Sequence, residues 1–254
     1  MDLFDLSGSV AIVTGGNGGI GRGIALGLAE AGADVAIAAR NEEKTATVVA
    51  EIKALGRRAV GIRCDVAKKT DIEAAVASTT ANLGTPGILV ANSGIALGTR
   101  PEALPEEDWD RVLDTNLKGV FLFSQAVYAG MKALGGGKII TIGSMYSIFG
   151  GAQSAPYGAS KGGVVQLTRS LAVAWAPDNI QVNCILPGWI VTEMTGWGGR
   201  ERRHFSERIV ARTPAGRWGE AEELAGAGVF LASRASDFVT GISLPVDGGW
   251  AVMG

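Results

Sequence analysis

One histidine, His204, and two cysteines, Cys64 and Cys184, are the only imidazole and thiol side chains in this chain of 254 residues. Zinc sites built on two histidines are therefore excluded. Two thiols are too few for a disulfide framework or a zinc cluster, so no metal site is expected. Both cysteines lie in apolar, strand-like stretches, where a free thiol behaves as a small buried hydrophobe. The net charge of -2 leaves no basic footprint, and nucleic acid is not an expected partner. No apolar run reaches the roughly 18 residues needed to span a bilayer, so no membrane partner is expected either. Met1 to Ser9 carries two aspartates and no basic residue, which does not read as a signal peptide. The expected location is cytoplasmic.

What the chain has in excess is glycine, 38 residues in clusters without a collagen-like period. Short runs rich in Val, Ile and Ala recur at Val10 to Val13, Val35 to Ala39, Ala59 to Ile62, Ile88 to Ala91, Lys138 to Ile142, Ile180 to Leu186 and Ile242 to Val246. Most are continuously apolar, as parallel strands covered on both faces should be. Amphipathic stretches lie between them, including Glu42 to Leu55 and Asp71 to Leu83, and a helix near Ala221 to Ala232 precedes the last run. Such alternation predicts an α/β fold, a Rossmann-type doubly wound sheet with helices on both faces. No linker or repeat divides the chain, so residues 1–254 are expected to form a single dinucleotide-binding catalytic domain. Residues 192–214 break the rhythm with Gly196, Gly198, Gly199 and the cluster Arg200, Arg202 and Arg203. A long excursion after a strand suggests a flexible substrate lid.

The first strand runs into Thr14, Gly15, Gly16, Asn17, Gly18, Gly19, Ile20 and Gly21, and a helix follows. Glycines at a strand-to-helix turn let backbone N–H groups approach a pyrophosphate. An acid about 20 residues on would bond the ribose 2′-hydroxyl of NAD, but the second strand ends in Ala38, Ala39 and Arg40. A guanidinium there suits a 2′-phosphate, so NADP is favoured over NAD.

Tyr157 and Lys161 are four residues apart on a helical stretch, and Ser144 lies thirteen residues upstream of Tyr157. Positions i and i+4 share a helical face. An ammonium beside the phenol is expected to lower the tyrosine pKa toward neutrality, making it a proton donor to a ketone and acceptor from an alcohol.

With the glycine loop and the Ser, Tyr and Lys constellation together, the chain resembles the short-chain dehydrogenase/reductase family from Leu6 to Trp250. Thr14, Gly15, Gly19 and Gly21 match its cofactor loop, with Asn17 and Ile20 between them. Asp65 and Val66 match the pair that flanks the adenine. Ala91, Asn92, Ser93 and Gly94 match an Asn-Asn-Ala-Gly motif, with Ala91 and Ser93 departing from it. Asn116 matches the asparagine that joins Ser144, Tyr157 and Lys161 in a catalytic tetrad. Pro187 and Gly188, followed by Ile190 and Thr192, match the segment that meets the nicotinamide. Lys161 would also hold the nicotinamide ribose, and Asn116 would support a proton-relaying water. The resemblance implies seven parallel strands and a homotetramer with the last helix, strand and tail at subunit contacts.

Arg212 to Gly219, Val246 to Trp250 and Gly143 to Gly151 look like the branch that contains 2-deoxy-gluconate 3-dehydrogenase and gluconate 5-dehydrogenase. The implied reaction interconverts a secondary alcohol and a ketone on a sugar acid or polyol. Keto reduction of a non-sugar substrate, a dinucleotide-sensing protein without catalysis, and a methyltransferase are the rival readings. Candidate pocket walls are Ile95 to Leu97, Met145 to Phe149, Gln153, Trp189 and Glu193 to Trp197. Arg202 and Arg203 could steer an anionic substrate, and His204 reads as a surface residue among them.

Overall fold

Strands that are buried on both faces need apolar residues at consecutive positions, and the runs identified above do form the strands. The computed structural model describes residues 2–196 and 200–253, with side chains described for 3–196 and 206–253. The strands are β1 Val10–Thr14, β2 Asp34–Ala39, β3 Ala59–Arg63, β4 Ile88–Ala91, β5 Gly137–Ile142, β6 Ile180–Pro187 and β7 Ser243–Val246. They form one sheet in the order β3-β2-β1-β4-β5-β6-β7, and all six pairings are parallel. The helices are α1 Gly19–Glu30, α2 Glu42–Ala54, α3 Lys69–Asn82, α4 Glu106–Leu113, α5 Gly119–Ala133, α6 Ala155–Trp175, α7 Arg200–Arg212 and α8 Ala225–Ala232.

Alternate strand residues point to opposite layers. Ile12, Ala36, Leu89, Ile139 and Val182 pack with Ile72 of α3, Phe123 and Val127 of α5, and Val164 of α6. Their neighbours Ala11, Val35, Ile88 and Ile140 pack with Ile24 and Leu28 of α1, Ile52 of α2 and Leu231 of α8. Each fully buried aliphatic or aromatic side chain contributes about 1.5–3 kcal/mol, so the two layers together hold the sheet.

Local signals set the helix boundaries. Asn41 caps α2 by accepting the Lys44 N–H at 3.0 Å, and Glu42 and Glu43 favour its positive end. Pro156 occupies the first turn of α6, where its missing N–H costs nothing. Between α4 and α5 the chain makes a π-turn at Asp114–Lys118, which carries Asn116. Single π-turns inside helices frequently mark functional positions.

The strand order reverses beside β1, which lies between β2 and β4. Crossovers leave in opposite directions there and open a crevice at the carboxyl ends of the strands. The loops after β1, β4, β5 and β6 all deliver residues to this edge. Among the described residues, no helix is long and apolar enough to cross a membrane.

Candidate active site

At this edge lies a cleft of about 460 Å³. Gly15, Asn17, Gly19, Ile20, Arg40, Asp65, Val66, Asn92, Gly94 and Thr192 line it. Gly21 serves the cleft from beneath: a Cβ on it would meet the Gly15 carbonyl oxygen at 2.4 Å. Gly19 has φ +48°, a left-handed conformation that favours glycine, and opens α1. No side chain caps that helix, so its first turn faces the cleft with its backbone donors. Arg40 is exposed at the rim. These residues fit a dinucleotide: a glycine cradle for the pyrophosphate, Asp65 and Val66 on one wall, and a guanidinium in place of an acid after β2.

Asn92 braces the cleft floor. Its Nδ2 donates to the carbonyls of Thr14 at 3.0 Å and Gly15 at 3.2 Å, while the Thr14 hydroxyl accepts the N–H groups of Asn92 and Ser93. Pro187, Gly188 and Ile190 are placed outside the walls of this cleft. Gly188 packs against Asp247, and the Ile190 side chain is buried against Gly219.

The second half of the site adjoins Gly94. A Cβ there would stand 3.3 Å from Asn116 Oδ1 and 3.5 Å from Lys161 Nζ, so glycine allows both side chains to close on the cleft. Asn116 is fully buried. Its Oδ1 accepts the Ile95 N–H at 2.8 Å, and its Nδ2 donates to the Ile95 carbonyl at 2.9 Å and to Ser160 Oγ at 3.1 Å. The carboxamide thus fastens the loop after β4 to α6. Ser144 lies two residues past the end of β5 and caps the short turn Met145–Ser147, with its Oγ accepting the Tyr146 N–H. Ser147 ties that turn to α6, its Oγ donating to the Lys161 carbonyl at 2.8 Å and accepting the Ser144 N–H at 3.2 Å.

Tyr157 and Lys161 do share one face of α6: the Lys161 Nζ lies 5.7 Å from the Tyr157 ring centroid. The expected depression of the tyrosine pKa is corrected by the structure. Burial pushes the Tyr157 phenol above its ordinary 10, a hydrogen bond with Ser144 pulls the other way, and Tyr146 adds to the rise. Lys161 donates to the Ile142 carbonyl at 2.7 Å, and burial lowers its own pKa to about 8. For both groups burial is the largest cause, because a low-dielectric pocket penalises the charged form of each. Cys64, on the cleft wall, is pushed up to about 12 by burial and by Asp71 and Asp65, which makes it a poor nucleophile.

An aromatic wall continues from Tyr157. Its ring meets Tyr146 edge-on at 5.8 Å, Tyr146 meets Trp189 at 6.2 Å, and Trp189 meets Trp218 at 5.6 Å and Trp250 at 5.8 Å. Arg212 covers Trp250 at 4.4 Å and Phe149 at 5.4 Å, so it clasps the loop after β5 to the C-terminal turn. Within the segment expected as a lid, Ile209 and Thr213 are buried and Ser206 accepts a bond from Trp218 Nε1. Trp197, Gly198 and Gly199 lie outside the described residues, as do the side chains of Arg200, Arg202, Arg203 and His204.

Sequence reasoning passed over Ser160 and Lys44, and the bracing roles of Asn92 and Ser147. Ser160 had a signal, since it is three residues from Tyr157 on the same helix. The others depend on contacts between distant segments.

Residues 15–251 match the family model described as enoyl-(acyl carrier protein) reductase. The 2-dehydro-3-deoxy-D-gluconate 5-dehydrogenase of Escherichia coli K12 is 43% identical over 251 residues, 98% of each chain. The chain belongs to the short-chain dehydrogenase/reductase family. Gluconate 5-dehydrogenase of Gluconobacter oxydans is 42% identical, covering 99% of this chain and 98% of that one. The crystal structure of a gluconate 5-dehydrogenase from Burkholderia cenocepacia in complex with NADP and tartrate superposes with a TM-score of 0.92. It is 43% identical and covers 99% of this chain and 98% of that chain. As a family member the chain is an oxidoreductase that acts on CH–OH groups with a nicotinamide dinucleotide.

Proposed function

We propose that this short-chain dehydrogenase interconverts a sugar acid bearing a secondary alcohol and its ketone, with NADP preferred over NAD. The observation that carries the reading is the meeting of Ser144, Tyr157 and Lys161 at the end of a glycine-cradled cleft whose rim bears Arg40. Relatives named for gluconate-type substrates, and a neighbour crystallised with NADP and tartrate, support the substrate class and the cofactor. A homotetramer is part of the proposal, supported by apolar side chains exposed on α6, in the turn before β7 and at the C-terminal turn, namely Val173, Phe238 and Val252. A cytoplasmic setting is proposed with it.

A bound nicotinamide would supply or accept the hydride. Tyr157 gives its proton to the reacting oxygen in reduction and recovers it in oxidation. Ser144 orients that oxygen and, by bonding the phenol, stabilises the phenolate that proton donation leaves behind. Lys161 adds positive charge next to that phenolate and, with Asn116 holding the loop around Gly94, keeps the cleft and the proton-transfer groups in register. The high resting pKa of Tyr157 keeps the donor loaded at neutral pH. A flexible substrate lid over residues 192–214 stays part of the proposal, with its described stretch from Ser206 anchored through Trp218 and the buried Ile209 and Thr213.

Replacing Tyr157 with Phe keeps the ring and deletes the proton. The expected loss in kcat is ~10²–10⁴-fold with dinucleotide affinity intact. Near-native turnover would refute the assignment. Comparing kcat/KM for sugar acids, polyols, cyclic ketones and 3-keto esters with both cofactors tests the substrate class, and a neutral ketone far ahead of every sugar acid defeats it.

A further inference from the structure

Opposite banks of the dinucleotide cleft are joined by one ion pair. Lys44, in the first turn of α2, places its Nζ 2.6 and 2.7 Å from the two carboxylate oxygens of Glu193. The partners are 149 residues apart in the chain, and both line the same cleft as Arg40 and the glycine loop.

Each bank is held firmly. Asn17 Nδ2 reaches from the glycine loop to the Asn41 carbonyl at 3.1 Å and Thr45 Oγ1 at 3.3 Å, and the Asn41 side chain accepts the Lys44 N–H. The start of α2 is therefore pinned to the loop that would cradle a pyrophosphate. On the far bank, Thr195 Oγ1 donates to the Ile190 carbonyl at 3.0 Å. The Thr192 methyl lies 3.1 Å from where a Cβ of Gly19 would stand. Glu193 thus hangs over the mouth of the cleft on a closed turn, and its carboxylate occupies the cation that α2 presents.

We propose that Lys44 is a second cation, beside Arg40, that reads a 2′-phosphate on the adenosine ribose, and that Glu193 is the internal anion it gives up when the phosphate binds. The inference rests on the dinucleotide reading above and sharpens its cofactor preference. An exposed lysine–carboxylate pair is weak, worth a factor of about 1.4 to 5 in an equilibrium. A charge-assisted bond to a phosphate is worth about tenfold or more, and a phosphate brings more charge than one carboxylate. The phosphate therefore wins the exchange. A dinucleotide without it leaves the pair intact. Release of Glu193 passes the identity of the cofactor to the turn that leads from β6 toward α7.

Titration calorimetry with adenosine 2′,5′-bisphosphate and with AMP reads the adenosine end of the cleft without turnover. Lys44→Met is expected to weaken the bisphosphate about tenfold and to leave AMP unchanged. Glu193→Gln is expected to tighten the bisphosphate by a factor of about 1.4 to 5, and this gain should vanish when Lys44 is already Met. A bisphosphate preference that survives Lys44→Met, or a Glu193→Gln gain that persists without Lys44, overturns the inference and leaves the cofactor reading standing. Equal affinity of the unaltered protein for both ligands overturns the cofactor reading and this inference together.

Discussion

Lys161 shows how far one side chain can set the character of a site. Its amine is buried at 4% exposure, bonds a backbone carbonyl and titrates at about 8 in place of 10.5. In the unfolded chain it returns to its ordinary value. Between about pH 8 and 10.5 the unfolded state therefore binds more protons, and stability rises with pH across that window. Below pH 8 the folded protein carries the full cost of the buried ammonium, on the order of 3 kcal/mol. Lys161→Met is expected to lose activity and to melt later than the unaltered protein at pH 7. Its advantage should shrink steadily as the pH climbs from 8 toward 10.5. A melting-temperature difference independent of pH in thermal scans would show that the lysine is not strained by burial. The same burial explains why spacing alone misled about Tyr157. Four residues on a helix place an ammonium near a phenol, but say nothing about the dielectric that surrounds them both.

At the scale of elements, the turn after β1 has the least tolerance. A methyl on Gly21 would stand 2.4 Å from both the Gly15 carbonyl oxygen and Asn92 Nδ2, and the carbonyl cannot swing aside without unseating the turn. Gly21→Ala is expected to cost about 1–3 kcal/mol by overpacking and to weaken dinucleotide binding, read by chemical denaturation and calorimetry. Unchanged affinity would mean that the cradle reforms around the methyl. This loop was legible in the sequence because glycine spacing, a preceding strand and a following helix all pointed one way. The central strands were legible for a related reason: burial of β1, β2, β4 and β6 at every position forces continuous apolar runs, so their limits fall within a residue or two. β7 begins at Ser243 and not at Ile242 because Ile242 donates its N–H to the Asn183 side chain. The π-turn at Asp114–Lys118 left no mark in the pattern, since its apolar spacing reads as ordinary helix on both sides. The Lys44–Glu193 pair was equally silent, because only the folded sheet edge brings α2 near the segment after β6.

For the molecule as a whole, the sheet buries its apolar residues in two layers, yet some large apolar side chains remain outside. Phe238 is fully exposed, Val173 on α6 is 80% exposed and Val252 is 86% exposed. Isolated exposed residues are normal, but three such residues, on α6, in the turn before β7 and in the tail, suit subunit contacts. Val173→Glu and Phe238→Glu each bring a charge to such a surface. Light scattering is expected to show four chains for the unaltered protein and a smaller species for at least one variant. Four chains in both variants would clear these two patches of any part in assembly.

Trp189 stands two rings from the phenol that moves the proton, with Tyr146 between them, and it also touches the tryptophans of the C-terminal turn and of the stretch after α7. Its indole is therefore a built-in optical reporter. Rearrangement of the loop after β5, or of the tail, will alter the emission of this cluster, so a stopped-flow trace can time those movements without a label.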